Sequence, residues 1–298
     1  MTSGIEKRHG GDRLRPACGR TPIIALGAST VILLMLAAAD APAATLTPAA
    51  ARAWERYYQW AEARVERQVK DRERFLIQDF LPAEQRAQIQ SKLRAGEAWI
   101  ERVTGVIPEH EHFAVPDAEI HHWWGAILVP DTRLPALLRF LQDYDHHGGK
   151  FADVEQSRLI SRKDNHFRFF FRLRRSKAFI TAYYHTIQEA TYFPIDDRRV
   201  YSRSNAVRIA ELENPGSAHE REKKPGDDRG FLWRLVSWWR LQETDRGVIV
   251  EIESASLSRD IPTAVKFIPG LSSYIRSTPR ESMESALASI RARFAPPD

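Results

Sequence analysis

Hydrophobic and polar positions alternate over the last third of the chain, and this alternation predicts a β-hairpin. Large apolar side chains occupy mostly odd-numbered positions over residues 231–242, and residues 248–258 return with a similar two-residue period. Successive side chains of a strand point to opposite faces, so the first strand carries one aromatic-rich face. Gly247, at the end of the turn at residues 243–247, suits the positive φ that a three- to five-residue hairpin loop needs.

The length of the hairpin loop decides on which face Glu251 and Glu253 lie. A three- or five-residue loop pairs Trp239 with Glu251 and Ser237 with Glu253, which puts both carboxylates on the aromatic face. A four-residue loop permits the opposite placement. Because a buried carboxylate is costly unless it is hydrogen-bonded or paired, the two glutamates would mark the polar end of any interior that the aromatic face lines.

A helix that covers the sheet is predicted at the end of the chain. Thr278 can cap this helix, Pro279 suits its first position, and Glu281 can complete a capping box. The apolar residues that follow recur at steps of four, three and four and form one stripe, namely Met283, Leu287, Ile290 and Phe294. We expect this stripe to pack against the sheet.

The earlier part of the chain predicts two helices, then strands with one further helix between them. The first helix begins at Thr47-Pro48 and the second at Pro82. Strand patterns cover residues 99–105, 120–129, 154–161, 166–174, 177–192 and 199–213. Asp131 is expected to cap the helix that follows the second strand. We interpret Trp54, Tyr58 and Trp60 as packing residues of an N-terminal helical extension.

Residues 120–294 resemble the START-like superfamily, also called SRPBCC, helix-grip, or polyketide cyclase/dehydrase and lipid transport. The resemblance rests on the strand 124–130, the helix that ends in Asp143-Tyr144-Asp145, a strand with Val154, Ser157 and Leu159, and the blocks 230–233 and 256–262. It implies an α+β helix-grip fold, in which a curved antiparallel sheet wraps around a long C-terminal helix. It also implies a deep apolar cavity for a lipid, sterol, polyketide or similar molecule.

Cavity-lining residues follow from the predicted faces of the strands and the closing helix. They are Phe169, Phe171, Tyr183, His185, Trp233, Leu235, Trp239, Glu251, Glu253, Met283 and Leu287. His185 has an alternative interpretation as a histidine that is hydrogen-bonded within a mixed face. Large side chains on several strands must either surround a ligand or fill the interior, and their number favours a ligand.

Catalytic and metal sites are not predicted. The sequence has no Gly-x-Ser-x-Gly motif and no glycine-rich phosphate loop, so hydrolase and nucleotide-binding mechanisms lack their parts. The histidines at 110, 112, 121, 122, 146 and 147 lack the spacing of a zinc site, since neighbouring strand residues point to opposite faces. No cofactor is expected.

The N-terminus predicts export. A basic leader precedes an apolar run at residues 23–39, and Ala41-Pro42-Ala43 offers the small residues that a signal peptidase needs. The alternative is an uncleaved inner-membrane anchor. We therefore divide the chain into a signal peptide (1–43), a helical extension (44–105) and a START-like domain (106–298). Cys18 is the only cysteine, so the mature chain has none and suits a bacterial periplasmic or secreted location.

Charge and composition narrow the possible partners. The chain is 43% hydrophobic, which supports a globular core, and its net charge of +5 comes from interspersed signs, so no nucleic-acid partner is predicted. The favoured function is binding or transport of a hydrophobic small molecule, with transient membrane contact possible. A START-like cyclase or dehydratase-type enzyme stays open as an alternative, as does a structural or partner-binding module with a filled cavity. The oligomeric state is not predicted.

Overall fold

A nine-stranded antiparallel sheet forms the framework of this computed structural model, which describes residues 44–103, 115–177, 180–260 and 276–295. The strands are β1 (Trp99–Arg102), β2 (Ala118–Pro130), β3 (Val154–Lys163), β4 (His166–Lys177), β5 (Ile180–Asp196), β6 (Arg199–Glu213), β7 (Arg221–Glu222), β8 (Arg234–Thr244) and β9 (Gly247–Arg259). Their order is β1-β2-β9-β8-β6-β5-β4-β3, and β7 pairs with β6.

Helices cover both faces of this sheet. They are α1 (Pro48–Val69), α2 (Ala83–Arg94), α3 (Leu134–Leu141) and α4 (Thr278–Arg293), with 3-10 turns at Ile77–Phe80 and Tyr144–His146. Residues of α3 and α4 pack on one face, which we call the inner face. Residues of α1, α2 and the turn at Ile77–Phe80 pack on the opposite, outer face. The predicted helix-grip fold, with its C-terminal helix and N-terminal helical extension, is confirmed.

Helix α4 lies directly on the backbone of β2. Met283, Leu287 and Ile290 are buried, as the apolar stripe predicted. A Cβ atom on Gly125 would lie 2.9 Å from Cδ1 of Leu287 and 3.0 Å from Sδ of Met283, so glycine allows the close approach. The predicted cap is wrong: Thr278 is already helical, and the residue before it, Ser277, hydrogen-bonds to Glu281 at 3.1 Å.

The hairpin of β8 and β9 differs from its prediction. Thr244 pairs with Gly247, so the loop has two residues, and the register places Arg240 opposite Glu251 and Trp238 opposite Glu253. The predicted pairs with Trp239 and Ser237 are therefore wrong. Gly247 has a φ of 132°, and a Cβ atom there would lie 2.1 Å from the carbonyl oxygen of Val129. The glycine is needed for contact with β2.

The cap of α3 also differs from its prediction. Arg133 is the N-cap residue, and no side-chain cap is formed by Asp131. Instead, the Glu243 carboxylate accepts hydrogen bonds from the Leu134 backbone N–H at 2.7 Å and from Arg133 Nη1 at 2.8 Å. A residue from the distant β8–β9 hairpin thus supplies the anion that the helix N-terminus favours.

The starts of two helices agree with their predictions, whereas the bounds of two strands differ from them. Helices α1 and α2 begin after Thr47 and Pro82, as predicted, and Thr47 Oγ1 accepts the Ala50 N–H at 3.1 Å. Strand β5 extends to Asp196 instead of ending at 192, and β8 begins only at Arg234. The proposed leader and the boundary at 105 lie outside the described residues. Among the helices that the structure describes, none is long and apolar enough to cross a membrane.

Candidate functional site

The inner face is a filled apolar core at the end nearest α3. Ile127, Val250, Leu241 and Val200 lie side by side across four strands, and each of them is buried. Helices α3 and α4 cover this end. Close packing of large apolar side chains leaves no room for a ligand at this end of the face.

Residues that lie side by side on neighbouring strands form a row across the sheet. Two rows further along the inner face, serines replace the large apolar side chains. Ser254, Ser237 and Ser204 lie side by side on β9, β8 and β6, with Trp123 of β2 at the end of the row. Trp239 lies one row closer to the apolar core and donates its indole N–H to Ser237 Oγ at 3.1 Å. All five side chains are only half-buried. We call these five residues the serine–tryptophan floor.

The small side chains of this floor distinguish it from the rest of the inner face. A serine fills far less volume than the Val, Leu and Ile side chains of the preceding row, and its hydroxyl both donates and accepts hydrogen bonds. The floor therefore offers aromatic surface at its edges and hydroxyl groups in its middle. Such a surface suits a molecule with an apolar body and at least one polar group.

Six of the predicted cavity residues lie on the inner face. They are Phe169, Phe171, Leu235, Trp239, Met283 and Leu287. Trp239 belongs to the serine–tryptophan floor, and Leu235 lies in the next row, away from the apolar core. Phe169 stacks on Tyr144 with ring centroids 3.8 Å apart and forms part of the filled core. Leu287, on the side of α4 that faces the sheet, is fully buried.

The other five predicted cavity residues face outward, so their predicted placement is wrong. On β5 the buried positions are the even ones, such as Tyr184 and Thr186, which turns Tyr183 and His185 to the outer face. His185 lies 3.0 Å from Glu222 there. Trp233 precedes β8, packs in the cluster that contains α1, and donates its N–H to Asp228 at 3.0 Å.

Glu251 and Glu253 are placed on the outer face by the two-residue loop. Both are buried, with 0% and 1% of their surface exposed, beneath the N-terminal helices. They belong to what we call the buried ionic cluster, which consists of Tyr57, Arg64, His122, Arg240, Glu251 and Glu253. All six residues are at most 8% exposed. Buried charges are tolerated when they are paired and hydrogen-bonded, and each of the two carboxylates has such partners here.

Glu253 is the ionised centre of the cluster. Its carboxylate contacts the Arg64 guanidinium, and Nε2 of His122 lies 2.7 Å from Oε1. Desolvation raises its pKa, but the charge of Arg64 and the nearby ring N–H of His122 outweigh that effect and hold the pKa well below the usual range. Burial lowers the pKa of His122 and raises that of Tyr57, so the Tyr57 hydroxyl donates to neutral His122 Nδ1 at 2.5 Å.

Glu251 has a different environment. It accepts hydrogen bonds from the Ile77 backbone N–H and from the Gln78 side chain at 3.1 Å. Desolvation raises its pKa to about 7, although nearby Arg240 and these donors offset part of the effect. Arg240 itself donates to the Phe75 carbonyl at 3.2 Å and to Gln68 at 2.6 Å. The cluster thus connects the N-terminal segment, which comprises α1, α2 and the turn between them, to the sheet.

The sequence did not predict four members of this cluster, namely Tyr57, Arg64, His122 and Arg240. Arg240 could have been found, because an arginine flanked by apolar strand residues needs a buried partner, and a two-residue loop pairs it with Glu251. Tyr57 and Arg64 carry no such signal, since they resemble any other residues of an amphipathic helix. Within the described ranges, no three His, Cys, Asp or Glu side chains come together as a possible metal site.

Comparison with known proteins yields structural matches only. No protein-family model matches the chain, and no curated protein matches its sequence. A STAR-related lipid transfer protein from Xanthomonas axonopodis is 17% identical, with a TM-score of 0.43, over 61% of this chain and 95% of that chain. The Zhui aromatase/cyclase from Streptomyces sp. R1128 is 9% identical, with a TM-score of 0.39, over 59% of this chain and 94% of that chain.

A third similar structure comes from a human protein. The lipid transfer and protein localization domain of human StarD13 is 10% identical, with a TM-score of 0.38, over 73% of this chain and 100% of that domain. At these identities the three comparisons bear on the fold of this chain alone. Its fold is established by its own sheet order and by the position of α4.

Proposed function

We propose that this protein binds a hydrophobic small molecule with a polar group, such as a lipid, between the inner face and α4. The observation that carries the proposal is the serine–tryptophan floor. A sheet face that only needed to pack a core would continue the large apolar residues of the Ile127 row. Instead, three serines lie in register in a row that ends at Trp123, and Trp239 lies one row away.

The floor and its neighbours suggest how such a ligand is oriented. Trp239 and Leu235, one row to either side of the serine row, offer apolar surface to the body of the ligand. The hydroxyls of Ser237 and Ser204 lie between them and can bond its polar group. Because the core beneath α3 is filled, the ligand occupies the half of the inner face that lies beyond Trp239.

Filling the floor tests this function. Ser237→Phe places a ring where the ligand is expected, so the affinity for a fluorescent fatty acid should fall at least about tenfold, as expected when a ligand loses roughly 1.4 kcal/mol of contacts. Fluorescence titration measures this affinity. Native mass spectrometry of gently purified protein should show a bound small molecule in the wild type and a reduced amount in the variant.

A matched control separates ligand binding from general damage. Ser161→Phe makes the same change at an exposed position on edge strand β3 and should leave the affinity unchanged. If Ser237→Phe unfolds cooperatively at the wild-type temperature and still binds the fatty acid with wild-type affinity, the ligand does not lie on the floor and the proposal is wrong.

A further inference from the structure

A second recess lies on the opposite side of the sheet, between the N-terminal segment and the outer face. It has a volume of about 300 Å³ and is lined by residues of α1, the turn at Ile77–Phe80, the start of α2, and strands β2 and β9. Arg64, Trp124 and Glu253 form its polar wall, while Phe80, Leu81 and Val103 form its apolar wall. This size is at the lower end of ligand pockets, which are about 300–1,000 Å³.

Two hydrogen-bond donors in the polar wall lack partners. The Nε atom of Arg64 and the Nε1 atom of Trp124 are buried and make no hydrogen bond to any described residue. Trp124 is 1% exposed and Arg64 is 8% exposed. A buried donor without an acceptor is unfavourable, so an acceptor in the recess would remove a penalty that the protein otherwise carries.

The charges around the recess favour a negatively charged acceptor. Arg64 lines the recess, and Arg240 adds a second buried guanidinium to the neighbouring cluster. Glu253 also lines the recess, but its carboxylate is already engaged by Arg64 and lies 2.7 Å from His122. Glu251, the other carboxylate of the cluster, bonds to Ile77 and Gln78. Arg64 is thus the positively charged group among the described residues that line the recess, and its Nε–H is not engaged.

We propose that this recess is a binding site for a small organic carboxylate, whose oxygens accept hydrogen bonds from Arg64 and Trp124 and whose apolar body lies against Phe80, Leu81 and Val103. The site is independent of the inner face. Trp123 and Trp124 are neighbours on β2 with opposite faces, so each site has its own tryptophan. The occupant would also stabilise the contact between the N-terminal segment and the sheet, since both line the recess.

Calorimetric titration of the full chain with benzoate tests the site. Benzoate combines a carboxylate with a compact apolar ring, and we expect saturable one-to-one binding with a Kd on the order of 1 mM or tighter. Trp124→Phe replaces the indole with a phenyl ring and so removes the unpartnered N–H. This change should weaken benzoate binding about tenfold. The matched control, Trp233→Phe, makes the same change at a residue that does not line the recess and should leave benzoate binding unchanged.

Two further measurements keep the test decisive. Leu81→Trp fills the apolar wall from a half-buried position and should abolish benzoate binding even if Trp124→Phe proves too unstable to titrate. Benzyl alcohol has a similar shape without the charge and should bind at least about tenfold more weakly. The proposal is overturned by non-saturable benzoate binding, by equal affinity for benzyl alcohol, or by unchanged affinity in Leu81→Trp.

Discussion

Single residues in this protein have properties that depend on neighbours far away in the sequence. Glu251 and Glu253 are two positions apart on one strand and share a face, yet their carboxyl groups have opposite pKa shifts. Contact with Arg64 and proximity to His122 keep Glu253 ionised, whereas burial dominates at Glu251. The two shifts therefore contribute to stability with opposite dependence on pH.

Glu251→Gln should change the pH dependence of stability. The pKa of Glu251 rises from 4.5 to about 7 on folding, so the folded protein binds more protons than the unfolded chain between these pH values. The stability of the wild type should then fall relative to that of Glu251→Gln as the pH rises from 4.5 to 7, by up to about 3 kcal/mol. Urea denaturation at pH 5 and pH 8 measures this difference.

The other titrating groups of the cluster do not obscure this comparison. The lowered pKa values of His122 and Glu253 both make the fold less stable in acid, but these residues are present in both proteins, so their effects cancel in the difference. A difference between wild type and Glu251→Gln that stays constant from pH 5 to pH 8 would show that Glu251 has the same protonation in the folded and unfolded states.

At the scale of elements, α4 is the best test of the helix-grip architecture. Leu287 is fully buried against β2, so Leu287→Ala should reduce the free energy of unfolding by about 2–5 kcal/mol. Glu284→Ala is the control, because Glu284 is exposed and forms an ion pair with Arg280 that is worth only a few tenths of a kcal/mol. Chemical denaturation gives both values, and a Leu287→Ala loss as small as the control loss would mean that α4 is not docked.

The sequence predicted the elements of the fold better than the contacts between them. The stripe of α4 was predictable, because helical spacing is a local property that three buried residues, Met283, Leu287 and Ile290, express directly. The hairpin register was not predictable, because Gly247 resembled a loop glycine. Its actual role is close contact with Val129 on another strand. Local patterns do not contain such non-local contacts.

The candidate site shows the same limit. Six of the residues predicted to line a cavity lie on the inner face, since alternation fixed Phe169, Phe171 and Trp239 relative to one another. The serine row could not be predicted, because it exists only when the registers of β6, β8 and β9 are all known. The ionic cluster depended on an N-terminal helix whose docking position no sequence pattern specifies.

At the scale of the whole molecule, the N-terminal segment is part of the folded structure. It covers the buried ionic cluster and provides four of its contacts, through Tyr57, Arg64, Gln68 and Gln78. Without this segment, Glu251, Glu253 and Arg240 would lose partners or become exposed on the outer face. The sheet therefore needs a cover on both faces, which differ in chemistry, with serines on one and paired charges on the other.

Deletion of residues 44–95 should prevent cooperative folding. The deletion uncovers the apolar residues of the outer face, such as Trp238 and Leu257, and leaves Arg240 without its acceptors on Phe75 and Gln68. We expect a chain that begins at residue 96 to aggregate or to lose its near-ultraviolet circular dichroism, whereas a chain that begins at Ala44 should melt cooperatively. A cooperative transition of similar midpoint in the shorter chain would contradict this expectation.

The two-residue loop of the β8–β9 hairpin has a consequence for how this sequence can diverge. Inserting or deleting one residue there would exchange the two faces of β9, bringing Glu251 and Glu253 toward α4 and Ile252 toward Arg64. Substitutions at Asp245 and Arg246, whose side chains are exposed, leave that arrangement intact. Related sequences should therefore vary freely in the identity of these two residues while preserving their number.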